Sequence, residues 1–245
     1  MNTLRGLKGK VRRLRFYASV NWTKTLYFNF RMFPYAVARK LPVYFFGGVK
    51  FQDLSGKVNI DAPVRTGMIN FGKRFEKFSR SRGIAEISIE GLLVFKGYAL
   101  FAKDYFISVS PGALLEIGHK SGMGRSGKII CTQHVSIGDN ARFSFECQVM
   151  DSNFHQMIDT ASGEKSSMSL PVTIGSYNFF GNRVSVMPGC VTPDYCTVAS
   201  NSVCGKDYSA LGEKILIGGV PAKLVRENVS RDWDGEPEHL ENWIS

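Results

Sequence analysis

His155 is the side chain in this sequence most suited to chemistry. Neutral imidazole can take a proton from a nucleophile near neutrality because its ordinary pKa is about 6.5. The residue follows Asp151, Ser152 and Asn153 at a turn where a regular pattern in the chain stops. Asp151 and Asn153 are therefore expected beside the ring, where polar groups fix its tautomer and orientation. Asp159, in the segment that follows, is a second candidate for that task. Nucleophiles of other kinds are less well placed. No G-x-S-x-G elbow is present. Cys131, Cys147, Cys190, Cys196 and Cys204 form no CxxC pair and have no histidine at zinc-finger spacing. They read as buried free thiols, Cys147 and Cys204 included, although a thiol is a conceivable nucleophile.

The elements that must position His155 show themselves as a repeat with a period of six. Ile174, Phe180, Val186, Thr192 and Val198 lead successive units, and Asn178, Val184, Cys190, Cys196 and Ser202 fill the fourth place after each. An earlier block keeps the step, with Cys131, Ile137, Phe143 and Val149 leading and Val135, Ala141, Cys147 and Asn153 following; Ile117, Gly118 and Ser121 add one more match. The period is neither the 3.6 of a helix nor the 2 of a plain strand. One bulky inward residue, one small inward residue and a corner make up each unit, so three short strands close a triangular coil and stacked coils share a core. Three hexads would complete a turn. The fold expected is mainly β, a left-handed parallel β-helix spanning residues 56–226. Before residue 107 the period is poor, and imperfect early coils are expected there.

Three segments depart from the repeat. Residues 156–171, QMIDTASGEKSSMSLP, read as a loop that projects from the coil as a lid or as an arm toward a neighbouring subunit. Residues 1–55 mix basic residues with aromatics such as Phe16, Tyr17, Trp22, Tyr27, Phe28 and Phe30, as a helical N-terminal extension with an apolar face would. That face would either lie on an anionic membrane or pack on the end of the β-helix and hide its open edge strand. The tail 227–245 is acidic and carries Trp233 and Trp243, consistent with a short packed helix or a loose end.

With 245 residues, 44% of them hydrophobic, the chain can bury a real core, which excludes a disordered class. A formal net charge of +10 attracts nucleic acid, an anionic membrane or a phosphate-rich small molecule, and its sign does not choose among them. The basic start is not followed by an apolar signal core, and no stretch reaches the apolar length that spans a bilayer. A cytoplasmic protein is expected, with peripheral contact at the inner membrane face through the N-terminus as an option.

From Ile107 to Arg226 the residues resemble the hexapeptide-repeat acyltransferases. VSIGDNARFSFECQVMDSNFH (135–155) is similar to the coils that end in that family's active-site histidine, PVTIGSYNFFGNRVSVMPGCVTPDYCTVASNSVCGKD (171–207) to the coils after the loop, and IGGVPAKLVRE (217–227) to the closing segment. Within the family the pattern resembles the sugar O-acetyltransferases of capsule and lipopolysaccharide synthesis. The resemblance implies a homotrimer with acetyl-coenzyme A held in clefts between subunits, His155 as the base, and a sugar or glycan precursor as acceptor. It implies cofactor contacts at Asn182, Ser200, Lys206 and Lys223, with the two lysines toward the phosphates. Phe179 matches a position beside the cofactor and acceptor that is often held by Trp, so a contact through an indole N–H is lost here.

Direct attack of the acceptor on the thioester is expected rather than an acyl-enzyme. A backbone N–H of the coil would supply the oxyanion donor. An N-acetyltransferase acting on an amino sugar stays open beside the O-acetyltransferase. Two other readings compete: a metal-dependent β-helix hydratase using His119, His134 and His155, and a nucleic-acid or membrane binding module using the positive charge. No metal requirement and no nucleic-acid partner are expected, because the histidine spacing shows no convergence and no nucleic-acid motif accompanies the charge.

Overall fold

The computed structural model describes residues 15–73, 83 and 85–235. Each hexad spends one bulky and one small side chain on the interior. Ile174, Phe180, Val186, Thr192 and Val198 are at most 3% exposed, and their partners Asn178, Val184, Cys190, Cys196 and Ser202 at most 1%. Among the described residues the strands between corners fall on three faces: a first face of nine strands, a second of seven and a third of six. The chain visits them in that order coil after coil, and every strand pairing is parallel until Ala222–Arg226 turns back against Leu216–Gly219. This is the left-handed parallel β-helix expected from the repeat. In the C-terminal coils Phe180 pairs with Val198, the leader three hexads further along the chain. Corners are turned by single residues in the left-handed region, such as Tyr177 (φ 56°) and Tyr195 (φ 57°) between the third and first faces, and Arg183 (φ 56°) and Asn201 (φ 60°) between the first and second.

Inside, identical positions of successive coils stack. On the first face Phe45, Phe71 and Phe101 lie nearly parallel with centroids 5.2 and 4.9 Å apart, and Phe143 and Phe180 follow at 4.2 Å. Phe180 is fully buried, so Phe180→Ala leaves a cavity in a stack that cannot collapse without shifting coils. We expect a loss of about 3–5 kcal/mol in stability, read by chemical denaturation. The five cysteines are all buried and free. Burial pushes the Cys147 thiol up to about 11 and those of Cys131, Cys196 and Cys204 to about 12, which removes them as nucleophiles near neutrality.

The β-helix begins earlier than residue 56. Val43–Phe45 and Val49–Asp53 already occupy the first and second faces, which corrects the 1–55 boundary. The early coils are longer than three hexads: Val43 pairs with Ile69, and Ile69 in turn with Ala99. A hexad count therefore cannot register them. What precedes is a helix, α1, spanning Trp22–Met32, with Asn21 as its N-cap, the side-chain oxygen accepting from the Lys24 N–H. Residues 1–14 of the expected helical extension lie outside the described residues.

Helix α1 closes the open end of the solenoid by hydrogen bonding as well as packing. The Asn29 amide donates to the Val43 carbonyl at 2.7 Å and its oxygen accepts from the Val43 N–H at 3.2 Å, while Thr25 Oγ1 accepts from the Phe45 N–H at 3.1 Å. Both side chains are fully buried. They supply the partners that an edge strand otherwise lacks. Asn29→Ala orphans buried backbone groups, and a cost of about 1–3 kcal/mol for each is expected in thermal or chemical denaturation.

Candidate active site

His155 stands on the edge between the second and third faces, where residues 151–171 leave the coil. The Gln148–Met150 strand of the second face ends just before it, and the Val172–Ile174 strand of the third face begins just after. The segment is a narrow hairpin arm. Ser152 bridges Ser169 and Ile158 bridges Lys165, both antiparallel, and the Asp159 carboxylate accepts from the Ala161 and Ser162 N–H groups at 2.8 Å to close its tip. Phe154, at φ 60°, turns the backbone at the neck of the arm and presents the next residue, His155, to solvent.

The sequence-expected partners of His155 behave differently from one another. Asp151 is fully buried. Its carboxylate accepts from the backbone N–H groups of Thr132, Gln133 and His134 and from the Thr132 hydroxyl, at 2.7 to 2.9 Å. Those four bonds use the lone pairs of both oxygens, so Asp151 does not orient the imidazole. It holds the corner of the coil beneath the arm, and the reading of Asp151 as a direct partner of His155 is corrected accordingly. Asn153 donates its backbone N–H to the Met168 carbonyl and lies exposed beside the histidine. Asp159 is occupied with the hairpin tip. Among the described residues the His155 ring makes no hydrogen bond within its own chain.

The remaining candidates fall into separate groups. Lys206 follows the last second-face strand and its carbonyl accepts from the Val191 N–H, which places it on the same edge as His155. Its Nζ lies 5.4 Å from the centroid of the buried Tyr208 ring, and the Tyr208 hydroxyl donates to the carbonyl of Ala222, directly before Lys223. The two lysines thus bracket one tyrosine at the C-terminal end of the stack. Both are exposed, and neither forms an ion pair among the described residues. Asn182 and Ser200 lie on the edge between the first and second faces, one coil apart, with the Asn182 N–H donating to Ser200 Oγ at 3.0 Å. Phe179 is on the outer side of the first face. One chain therefore places His155 and Lys206 on one edge of its second face and Asn182 and Ser200 on the other, with Phe179 on the first face and Lys223 in the strand that closes the first-face sheet.

Among the described residues, His119 and His134 do not join His155. His134 Nε2 lies 3.0 Å from Glu116, which also pairs with Lys96 at 2.9 Å. Bonds from Lys96 and His134 hold the Glu116 carboxyl below its ordinary range. His119 Nδ1 accepts from the Tyr98 N–H at 3.3 Å, and burial lowers its pKa. Among the described residues no group of three His, Cys, Asp or Glu is placed to hold a metal ion.

A feature that the repeat does not announce is the tail folding over Phe179. The Arg231 guanidinium lies 5.3 Å from the Phe179 centroid and 5.0 Å from that of Trp233, and Trp233 meets Tyr177 edge-on at 5.7 Å. A cavity of about 420 Å³ opens beside them, lined by Phe179, Thr197, Leu216, Val229, Ser230 and Arg231. Residues 227–235 are a packed strap; the rest of the tail lies outside the described residues. The only sequence signal for it is an aromatic and a cation beyond the last hexad.

These features define a left-handed β-helix of the hexapeptide-repeat kind, with a histidine-bearing arm at one edge. No family model and no curated protein matches the sequence. Among solved structures, the chain is similar to the polySia-specific acetyltransferase NeuO, at 15% identity over 77% of this chain and 92% of that one, with a TM-score of 0.53. Also similar are the polysialic acid O-acetyltransferase OatWY (15% identity, 82% and 98% covered, TM-score 0.42) and a mutant of AntD, an N-acyltransferase from Bacillus cereus, in complex with dTDP and coenzyme A (13%, 86% and 98%, 0.47). The likeness to NeuO shows a shared fold.

Proposed function

We propose that this chain transfers an acetyl group from acetyl-coenzyme A to a hydroxyl of a sugar or glycan precursor, at a site built between two copies in a homotrimer. The observation that carries the reading is the exposed His155 at the neck of the arm, with Lys206, exposed and in no ion pair among the described residues, further along the same edge. The donor supplies an activated acetyl thioester. His155 takes the proton from the acceptor hydroxyl as its oxygen attacks, then returns a proton to the departing thiolate. Lys206 and Lys223 hold the donor's phosphates as point charges, and Asn182, Ser200 and Phe179 contribute from the neighbouring copy. The acetyltransferase name of NeuO, which shares the fold, supports the chemistry.

The trimer is supported by where the groups lie. A cyclic assembly brings one edge of each copy against the other edge of the next. If the second face turns to the axis, the edge bearing His155 and Lys206 meets the edge bearing Asn182 and Ser200. That face is suited to burial: Ile130, Met150 and Met187 point outward from it, alternating with the inward Ile129, Val149 and Val186. The arm adds Phe154, Met157, Ile158, Met168 and Leu170, each 46–62% exposed in the single chain. Met150→Lys is expected to convert the trimer to monomer and abolish transfer, as sedimentation velocity and a rate assay on one sample will read. A monomeric wild type would contradict the shared site. The acceptor atom is read from the product: an alkali-labile acetyl is an ester on oxygen, and an alkali-stable one is an amide and would replace the O-transfer reading.

A further inference from the structure

We propose that the capped N-terminal end of the β-helix is a docking surface for an anionic lipid bilayer. The net positive charge of the protein is concentrated in the N-terminal part of its sequence. Between Arg5 and Lys50 stand eleven lysines and arginines, and the first carboxylate in the chain is Asp53. Everything after residue 52 carries 20 basic against 21 acidic residues, so the net +10 resides in the N-terminal segment. Residues 1–14 contribute five of those cations and lie outside the described residues.

Helix α1 shows how that segment meets its surroundings. Its inner side, with Thr25, Phe28 and Asn29, is buried against the first coil. Its outer side keeps large apolar groups in water although the cap is complete: Leu26 is 44% exposed, Tyr27 55% and Phe30 50%, with Trp22 at 38% beside them. Tyr35, 71% exposed, extends the patch and lies 6.2 Å from Phe30. Arg31, Arg39 and Lys40 are exposed around this patch. A helix with aromatics on one side and cations at its border lies in the bilayer interface, where Trp and Tyr rings sit at headgroup level and each cation gains from anionic lipid. No helix among the described residues is long and apolar enough to cross a membrane, so the contact is peripheral. The coils then stack away from the bilayer. His155 belongs to the fifth coil, four strand spacings from the cap, on the order of 20 Å above it.

The inference is independent of acyl transfer, and its test needs no donor. The 245-residue chain is floated with vesicles of neutral phosphatidylcholine alone and of phosphatidylcholine with a third phosphatidylglycerol. Wild type should partition to the anionic vesicles and not the neutral ones, and high salt should weaken binding. Leu26→Ser/Phe30→Ser and Arg31→Glu/Arg39→Glu/Lys40→Glu, all at exposed positions, should each lower partitioning by roughly tenfold or more with unchanged thermal melting. Equal binding to both vesicle types, wild-type binding by both variants, or no binding at all would overturn the proposal. So would a change of oligomeric state in the Leu26→Ser/Phe30→Ser variant, which would show the patch to be covered by a second copy.

Discussion

His155→Ala is expected to lower acceptor-dependent acetyl transfer by about 10²- to 10⁴-fold, the range lost with a general base, while the protein keeps its fold and the proposed trimeric state. The side chain is exposed and makes no hydrogen bond among the described residues of its own chain, so its removal leaves no buried group unpaired. Donor affinity should be unchanged, because Lys206 and Lys223, the lysines proposed to hold its phosphates, are untouched. Loss of kcat without loss of donor binding separates a base from a contact residue. Asp151→Ala should behave in the opposite way. It strips the acceptor from three backbone N–H groups and one hydroxyl at once, and its first effect should be on stability.

The second large effect concerns two inactive proteins that become active together. Asn182→Asp/Ser200→Glu puts two carboxylates on the edge between the first and second faces and should repel an anionic donor. His155→Ala disables the other edge. When the two variants are co-refolded or co-expressed, a mixed trimer places an intact His155 of one copy against an intact Asn182 edge of the next at one of its three sites. With random assembly of equal amounts, recovery to about a quarter of wild-type activity is expected. Absence of recovery in trimers shown by mass to be mixed would mean that each site is built within one copy.

What the sequence made legible depended on regularity. From Ile137 to Cys204 the hexad leaders stack in three inward columns, one for each face, because parallel coils equal in length apart from the arm force equal spacing, whereas Cys131 falls out of register and Ile129 takes the place opposite Val149. The early coils read only as irregular strands, since the longer steps from Val43 to Ile69 and from Ile69 to Ala99 break the count while the pairing itself stays parallel. Of the two roles open to the N-terminal aromatics, the structure shows the packing one on the inner side of the helix and leaves the outer side, proposed to meet a bilayer, exposed. Thr25, Phe28 and Asn29 cap the edge strand, and Leu26, Tyr27 and Phe30 face outward. Which polar groups flank His155 was not legible. An Asp four residues before a histidine can turn toward it or toward the coil, and the corner of three unpaired N–H groups at 132–134 takes the Asp151 carboxylate. The strap of Arg231 and Trp233 over Phe179 carries no period at all, so it became visible only in three dimensions.

The strap bears on how an acceptor would reach the neighbouring copy. Arg231 stacks on Phe179, the ring that the resemblance places beside the donor and the acceptor, and it borders the cavity of about 420 Å³. Arg231→Ala should raise the KM for the acceptor more than it lowers kcat, by roughly tenfold for loss of a charged or cation–π contact in a partly desolvated cleft.

The central claim is that the protein moves acetyl from coenzyme A to a sugar hydroxyl. It is tested most directly by following free-thiol release from acetyl-coenzyme A with wild type and His155→Ala against a panel of mono- and oligosaccharides. Thiol release that depends on an acceptor and disappears in the variant is the predicted result. Release unaffected by the substitution, or no release with any acceptor together with no binding of coenzyme A, would contradict the account.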